Sequence, residues 1–238
     1  MPNDIPLTVS TIFLLICGIT LVFFLKILIA PLKASGRHKM AWGIGIGMMV
    51  WLGLQGLLAQ QQFYLASFDL PPRALVALLP PMLLIFGLLI FLWRSEYFKQ
   101  LSLKSMTYIQ VFRLPLELFV LSGLATAGYI PHVMTYYGRN PDILVGLTAP
   151  IIAYLYFSKK WVSWKLLLGW HVVSLLLLIN ITSHAILSMP YPFQQVGLEQ
   201  PNIGVFHFPY IWLPTLLVGV GYFCHIIAIH KLLCWRDT

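Results

Sequence analysis

Residues Tyr108–Tyr154 read YIQVFRLPLELFVLSGLATAGYIPHVMTYYGRNPDILVGLTAPIIAY, two apolar runs joined by a short polar connection. The first run holds Arg113 and Glu117 deep among apolar residues. Ionisable side chains are costly in hydrocarbon, so in a membrane helix they face the bundle interior, a partner or a water-filled cavity. The stretch therefore predicts a spanning helix with a polar site near mid-depth, followed by a second spanning helix.

The composition indicates a membrane protein. Of the 238 residues, 59% are hydrophobic and 9% are charged, and the mean hydropathy is +0.84. A soluble domain carries about 25% charged residues. The apolar residues also occur in runs of the length, about 20 residues, that crosses the ~30 Å hydrocarbon core of a bilayer. The lipid bilayer is therefore the first expected partner.

The pattern of runs predicts an all-α fold, a polytopic transmembrane bundle of about seven helices that forms a single integral membrane domain over residues 1–238. The predicted spans are 8–31, 41–64, 74–93, 105–127, 141–157, 161–186 and 209–232. Between the third and fourth spans, mixed apolar and basic residues favour a short interfacial helix. The proline-rich and aromatic connection 187–208 is expected to fold back over the mouth of the bundle.

Basic residues set the predicted orientation. If the spans alternate, eleven lysines and arginines fall on one side and two, Arg73 and Arg139, on the other. The eleven are Lys33, Arg37, Lys39, Arg94, Lys99, Lys104, Lys159, Lys160, Lys165, Lys231 and Arg236. The positive-inside rule makes the crowded side cytoplasmic, so the N-terminus is predicted outside and the C-terminus inside a plasma (inner) membrane. These loops account for the net charge of +8, and no nucleic-acid partner is expected.

The candidate ligand-binding residues are Gln110, Arg113 and Glu117. Their spacings of three and four place them on one face of a helix. They form either a buried ionic group that sets helix register or a site for an anion or proton, with partners expected mainly from the sixth or seventh span. In the connection that follows, Asn140 is a predicted helix cap and Asp142 lies in the first turn, where the helix dipole favours an anion.

Histidines supply the candidate metal ligands. His132, His184 and His207 all lie near the predicted outer boundary, where they could converge with Asp142 and Tyr136. Three histidines and a carboxylate are a ligand set that can hold zinc or another divalent metal. None of them shows a short metal-binding motif. His171 and His225 lie at similar depth on the sixth and seventh spans, which is the arrangement that bis-histidine haem ligation requires. No cofactor is assigned from the sequence.

Several reactions are excluded by the absence of their motifs. The last span has no lysine before Lys231, which rules out a retinal Schiff base at mid-depth. No nucleophile elbow or phosphate-binding loop is present. The pattern therefore favours a bundle that binds or translocates a small molecule or ion, transporter-like or receptor-like. Two alternatives stay open, a metal- or haem-dependent membrane enzyme that uses the outer or inner histidines, and a scaffold or assembly subunit without an internal cavity.

Overall fold

The computed structural model describes residues 4–92 and 95–234. These residues form helices joined by loops and contain no strand. The all-α prediction is therefore confirmed for this part of the chain. Trp93, at the predicted end of the third span, lies outside the described residues. So do Arg94 and Arg236, which contribute to the orientation prediction.

Eight helices follow one another along the described chain. They are α1 (Leu7–Ala34), α2 (His38–Gln60), α3 (Leu75–Leu92), α4 (Glu96–Gln100), α5 (Leu103–Thr126), α6 (Ile143–Lys159), α7 (Trp164–Leu187) and α8 (Leu213–Cys234). Each of the seven predicted spans overlaps one of these helices, although α3 and α6 are shorter than the other five, and α4 lies where the short helix was predicted. Five helices, α1, α2, α5, α7 and α8, are long and apolar enough to cross a membrane. The number of crossings and their orientation stay predictions.

Serine caps fix where two of these helices begin. Ser102 precedes α5 and its side chain accepts a hydrogen bond from the Ser105 backbone N–H at 3.2 Å. Ser163 precedes α7 and accepts from the Leu166 N–H at 3.4 Å. A side-chain oxygen at this position pairs one of the N–H groups that the first helical turn leaves unsatisfied.

Three helices depart from regular α geometry. In α5 a 3₁₀ turn at Ile109–Phe112 is followed, after Pro115, by a π-helical segment at Leu116–Leu121. π-helical segments also end α6, at Tyr154–Lys159, and begin α8, at Leu213–Leu217. Proline removes a backbone donor and clashes one turn back, so a local change of winding near Pro115 is expected. Short π segments occur frequently at functional sites.

The bundle is built around α5 and α8. Helix α8 packs against α7, α5, α4 and α3, and α5 packs against α1, α6 and α8, while α2 lies on the outside against α1. Aromatic contacts join these layers, such as Phe24 of α1 on Phe223 of α8. Many large apolar side chains of α2, including Trp42 and Ile46, remain exposed on the surface of the bundle. This exposure suits a lipid-facing helix.

Two segments, residues 127–142 and 188–212, close the end of the bundle opposite α4, and we call them the capping loops. The side chain of Gln200 donates to the carbonyl oxygens of Ala125 and Ile130, and the Gly204 N–H donates to Tyr129 O at 2.7 Å. Asn202, Val205 and Phe206 are buried by these contacts. The expected folding of this connection over the mouth of the bundle is confirmed.

Candidate functional site

A buried ion pair joins α5 to the start of α6. The Arg113 Nη1 atom lies 3.0 Å from both carboxylate oxygens of Asp142. The two side chains are almost fully inaccessible, with 2% and 5% of their surface exposed. Solvent screens a pair this deeply buried very little. Its net effect on stability depends on how well its hydrogen-bond geometry offsets the cost of desolvating both charges.

Asn140 links this ion pair to Glu117. Its amide nitrogen donates to Glu117 Oε1 at 2.7 Å and to Met134 O at 3.0 Å. Its amide oxygen accepts from the Asp142 backbone N–H at 3.2 Å. Asn140 was predicted as the N-cap of this helix, but the regular helix begins at Ile143 with Asp142 at the N-cap position. The Asn140 side chain instead orders the turn before the helix and holds the Glu117 carboxylate. We call Arg113, Glu117, Asn140 and Asp142 the polar cluster.

The partners of Arg113 and Glu117 are not those predicted. We expected the sixth or seventh span to supply them, but both hydrogen-bonded partners, Asn140 and Asp142, come from the capping loop just before α6. The prediction was wrong because it treated Asn140 and Asp142 as local helix-capping residues. Asn140 Oδ1 does accept a local hydrogen bond from the Asp142 backbone N–H, but the Asn140 amide nitrogen and the Asp142 carboxylate both reach across to α5.

Close backbone approach makes the cluster possible. A side chain at Gly146 on α6 would lie 2.3 Å from the Leu114 N atom, so only glycine lets α6 approach α5 this closely. A side chain at Gly138 would lie 2.2 Å from His132 O, inside the turn that leads to Asn140. On α8, a side chain at Gly221 would lie 2.9 Å from Arg113 Nη2. These glycines create the space in which the guanidinium and the carboxylates meet.

A cavity of about 70 Å³ borders the polar cluster between α5, α7, α8 and the capping loops. Its wall is mainly apolar and includes both π-helical segments of α5 and α8, through Leu116, Leu121, Leu213 and Leu217. At roughly 10–15 Å³ per water on the same measure, it has room for about five waters or one small solute. Its polar lining is Arg113, Glu117, Asp142, Thr182 and Asn202.

Three buried polar atoms of this lining have no hydrogen-bond partner within the described chain. They are Arg113 Nη2, Glu117 Oε2 and Asn202 Oδ1. One is a cationic N–H donor and two are oxygens able to accept. A buried polar atom left unpaired costs ~1–3 kcal/mol, so three around one cavity call for an occupant that pairs with them. The arrangement suits a small solute that carries both an acceptor and hydrogen-bond donors.

Gln110, the third predicted ligand-binding residue, is fully buried but does not line the cavity. It lies one turn before Arg113 on α5, and its Nε2 atom is 3.5 Å from Met106 O. Its Oε1 atom has no partner among the described residues. The structure thus places Arg113 and Glu117 at the cavity and Gln110 on the α4 side of it.

The structure does not bring the three outer histidines together. His132 is exposed and its ring lies 5.8 Å from the Tyr137 ring. His184 is bonded through Nδ1 to Asn180 O at 2.9 Å, and His207 packs edge-on against Tyr129. Burial lowers the pKa of His207, which keeps this loop residue neutral at pH 7. Residues 4–92 and 95–234 contain no group of three or more potential metal ligands.

The two inner histidines meet directly. The Nδ1 atoms of His171 and His225 lie 2.9 Å apart, which is a hydrogen-bond distance. Two nitrogens that bind one metal ion from opposite sides are separated by about twice the metal–nitrogen bond length of ~2.0 Å. The pair therefore does not have the spacing of two ligands on opposite sides of one metal.

Three polar cavity residues, Asp142, Thr182 and Asn202, were missed as candidates for this ligand site. Asp142 was assigned only a place in the first turn of a helix or beside the outer histidines. Asn202 lies in a long loop, and its placement depends on Gly204 and Gln200, which bind the loop to residues 125–130. Thr182 is a polar residue near the end of a long apolar helix, and its hydroxyl donates to Leu178 O at 2.6 Å. One feature of the sequence could have identified Asn202. The connection 187–208 is too apolar to be a solvated loop, so a polar residue within it was a candidate for a buried site.

Comparisons with protein families, with curated proteins and with solved structures find no match for this chain. The class of protein is therefore read from the fold and the site. Its five long apolar helices are compatible with an integral membrane protein, and Arg113, Glu117 and Asp142 of the polar cluster line a buried cavity.

Proposed function

We propose that this chain is an integral membrane protein that binds a small polar solute in the cavity beside the polar cluster, as a transporter-like or receptor-like bundle does. The observation that carries the proposal is the set of three unpartnered atoms on Arg113, Glu117 and Asn202 around one cavity. Polar groups this deep in a bundle are costly, and in membrane proteins they mark ligand sites and ion pathways.

The geometry favours one chemical class of solute. Arg113 Nη2 needs an acceptor, while Glu117 Oε2, as a carboxylate oxygen, and Asn202 Oδ1 need donors. Because Asp142 already neutralises Arg113, a strongly anionic solute would add an unbalanced charge beside two carboxylates. A small amide-like solute, with a carbonyl oxygen and N–H groups, complements all three atoms. The existence of a cavity also argues against a purely structural scaffold.

A pair of matched probes tests this proposal. Acetamide and acetone have nearly the same size and both carry a carbonyl oxygen, but only acetamide has N–H donors. A ligand that binds the folded protein raises its melting temperature in proportion to RT ln(1 + [L]/Kd). We expect acetamide to raise the melting temperature of the purified protein in detergent and acetone to leave it unchanged, as followed by tryptophan fluorescence.

Two variants locate the effect. Glu117→Gln and Asn202→Leu each remove one acceptor from the cavity, so each should abolish the shift caused by acetamide. Glu199→Gln, in the exposed part of the same capping loop, is the matched control and should keep it. The proposal is wrong if neither probe shifts the parent protein, if both shift it equally, or if the two cavity variants respond as the parent does.

A further inference from the structure

The inner histidine pair is a second buried polar group that the solute site does not use. His171 of α7 and His225 of α8 are both fully inaccessible. Their Nδ1 atoms are hydrogen-bonded, and His171 Nε2 lies 3.2 Å from the Thr107 hydroxyl of α5. The Thr107 hydroxyl is in turn 2.9 Å from Leu103 O. Four groups on three helices thus form one hydrogen-bonded chain.

The chemistry of these groups gives the chain a direction. A carbonyl oxygen accepts, so the Thr107 hydroxyl uses its single hydrogen on Leu103 O and accepts from His171 Nε2–H. A neutral His171 then has a bare Nδ1 and accepts from Nδ1–H of His225. This assignment leaves His225 Nε2 as an unprotonated nitrogen, and that buried atom has no partner in the described chain.

The chain lies between the polar cluster and the α4 end of the bundle. Thr107, Gln110, Arg113 and Glu117 follow one another along α5 at intervals of three or four residues. They therefore share one helical face. On α8, His225 follows Gly221 by one turn, and Gly221 is the residue against which Arg113 Nη2 packs. Gln110, Arg113, Glu117 and His225 each keep a buried polar atom without a partner along this row. Gln110 and His225 do not line the cavity, so a relay that starts there requires water to enter along this row.

We propose that His225, His171 and Thr107 form a proton relay that connects the cavity beside Glu117 to the α4 end of the bundle, so that the protein conducts protons. This goes beyond solute binding and does not require a solute. Chains of histidine and carboxylate groups inside membrane proteins serve as such relays.

Each step of the relay conserves protons. A hydronium ion from the cavity gives a proton to His225 Nε2 and becomes water. The Nδ1–H proton of His225 moves to His171 Nδ1. The Nε2–H proton of His171 then moves to the Thr107 oxygen, while Thr107 turns its own hydrogen away from Leu103 O and gives it to a water at the start of α5. The end of the relay is one turn from Ser102 and Lys104, which are exposed at the start of α5. Net flux requires that both imidazoles return to their first tautomers by ring rotation and proton exchange with water, because transfer back along the relay would cancel it.

Proton flux into vesicles tests the relay. The protein is reconstituted in phosphatidylcholine–phosphatidylglycerol vesicles that enclose a pH-sensitive dye, and valinomycin with a potassium gradient makes the interior negative. We expect the parent protein to acidify the lumen faster than protein-free vesicles do. His225→Gln and His171→Gln can hydrogen-bond but cannot pass a proton through a ring, so their rates should fall to that of protein-free vesicles.

Controls separate the relay from folding and from solute binding. His184→Gln changes a histidine on the same helix as His171 that contacts its own backbone, and it should conduct as the parent does. Thr107→Val keeps the side-chain shape, interrupts the exit, and serves where a histidine variant does not fold. His225→Gln should retain the acetamide-induced rise in melting temperature. The relay is refuted if the parent conducts no faster than protein-free vesicles, or if folded His225→Gln, His171→Gln or Thr107→Val conducts like the parent.

Discussion

The central helices α5 and α8 differ from the peripheral helices α1, α2 and α7 in burial and in winding. Within the most apolar 18-residue stretch of each helix, 56% of the residues of α5 and 61% of those of α8 are buried. The corresponding share is 22–33% in α1, α2 and α7. The central helices each contain a π-helical segment, and α5 also a 3₁₀ turn, whereas α1, α2 and α7 are regular over their whole length. The remaining π-helical segment described ends α6.

This difference shows where polar groups are tolerated in such a bundle. A lipid-facing helix must satisfy its backbone internally and gains nothing from irregular winding. A central helix has protein neighbours that can pair with a released carbonyl or a buried side chain. Glu117 lies in the π-helical segment of α5, and its carboxylate is held by Asn140 from the neighbouring loop. The π-helical segments of α5 and α8 therefore both border the cavity beside the polar cluster.

The largest expected effect comes from breaking the buried ion pair. Arg113→Leu or Asp142→Leu alone leaves an uncompensated buried charge, which typically costs ~3–5 kcal/mol. The double Leu variant should recover much of this loss, because an apolar pair avoids the desolvation of two charges. Denaturant unfolding in detergent measures both.

A peripheral ion pair gives the matched control for this experiment. Glu96→Gln removes the partner of Lys99 in α4, at a carboxylate that is 74% exposed, and should cost less than about 1 kcal/mol. Equal losses at Glu96 and at Asp142 would show that burial does not distinguish the two regions.

A smaller but still large effect is expected where α6 meets α5. Gly146→Ala would place Cβ 2.3 Å from Leu114 N and 2.9 Å from Leu114 Cα. Backbone atoms cannot yield as a side chain does, so the helices must separate, at a cost of about 3 kcal/mol. The shift should also weaken the contact of Asp142 with Arg113. Thermal unfolding in detergent measures the loss.

Gly169→Ala on the exposed face of α7 is the peripheral counterpart. No atom lies within 4 Å of the added carbon, so this change should be neutral or slightly stabilising. If Gly146→Ala were as well tolerated as Gly169→Ala, the close approach of α6 to α5 would be incorrect.

The smallest expected loss of stability concerns two glycines of α8, one that faces Arg113 and one that does not. Gly221→Ala would place Cβ 2.9 Å from Arg113 Nη2 and 3.0 Å from Leu178 Cδ2. Both are side-chain atoms that can shift, so we expect the free energy of unfolding to fall by about 1 kcal/mol. Gly219→Ala meets its nearest neighbours at 3.9 Å and should be neutral. Thermal unfolding of the two variants in parallel checks this, and a larger loss at Gly219 would contradict the position of Arg113.

Much of the helical framework was predictable because run length and composition are local properties. Each predicted apolar run coincides with a helix, and the serine caps of α5 and α7 stand where those helices begin. The burial of Arg113 and Glu117 also followed from their position inside an apolar run. The bilayer crossings and the orientation are predictions from the same local properties.

The partners of those charges were decided by tertiary structure. Asn140 and Asp142 have an adequate local explanation as residues that begin a helix, and the sequence contains no sign that they also reach α5. The contact depends on Gly146 and Gly138, which allow close approach at two points distant from the charges themselves. The same holds for the meeting of His171 with His225, which are 54 residues apart.

By itself, then, the sequence determined that this protein is an all-helical chain of long apolar helices with ionisable residues buried on one of them. Run length, capping and the cost of an exposed charge are enough for that conclusion, because each acts within a few residues. Tertiary structure decided which carboxylate neutralises Arg113, that Asn202 lines the cavity, and that the outer histidines stay apart. Those outcomes depend on how closely distant backbones approach, which no local pattern encodes.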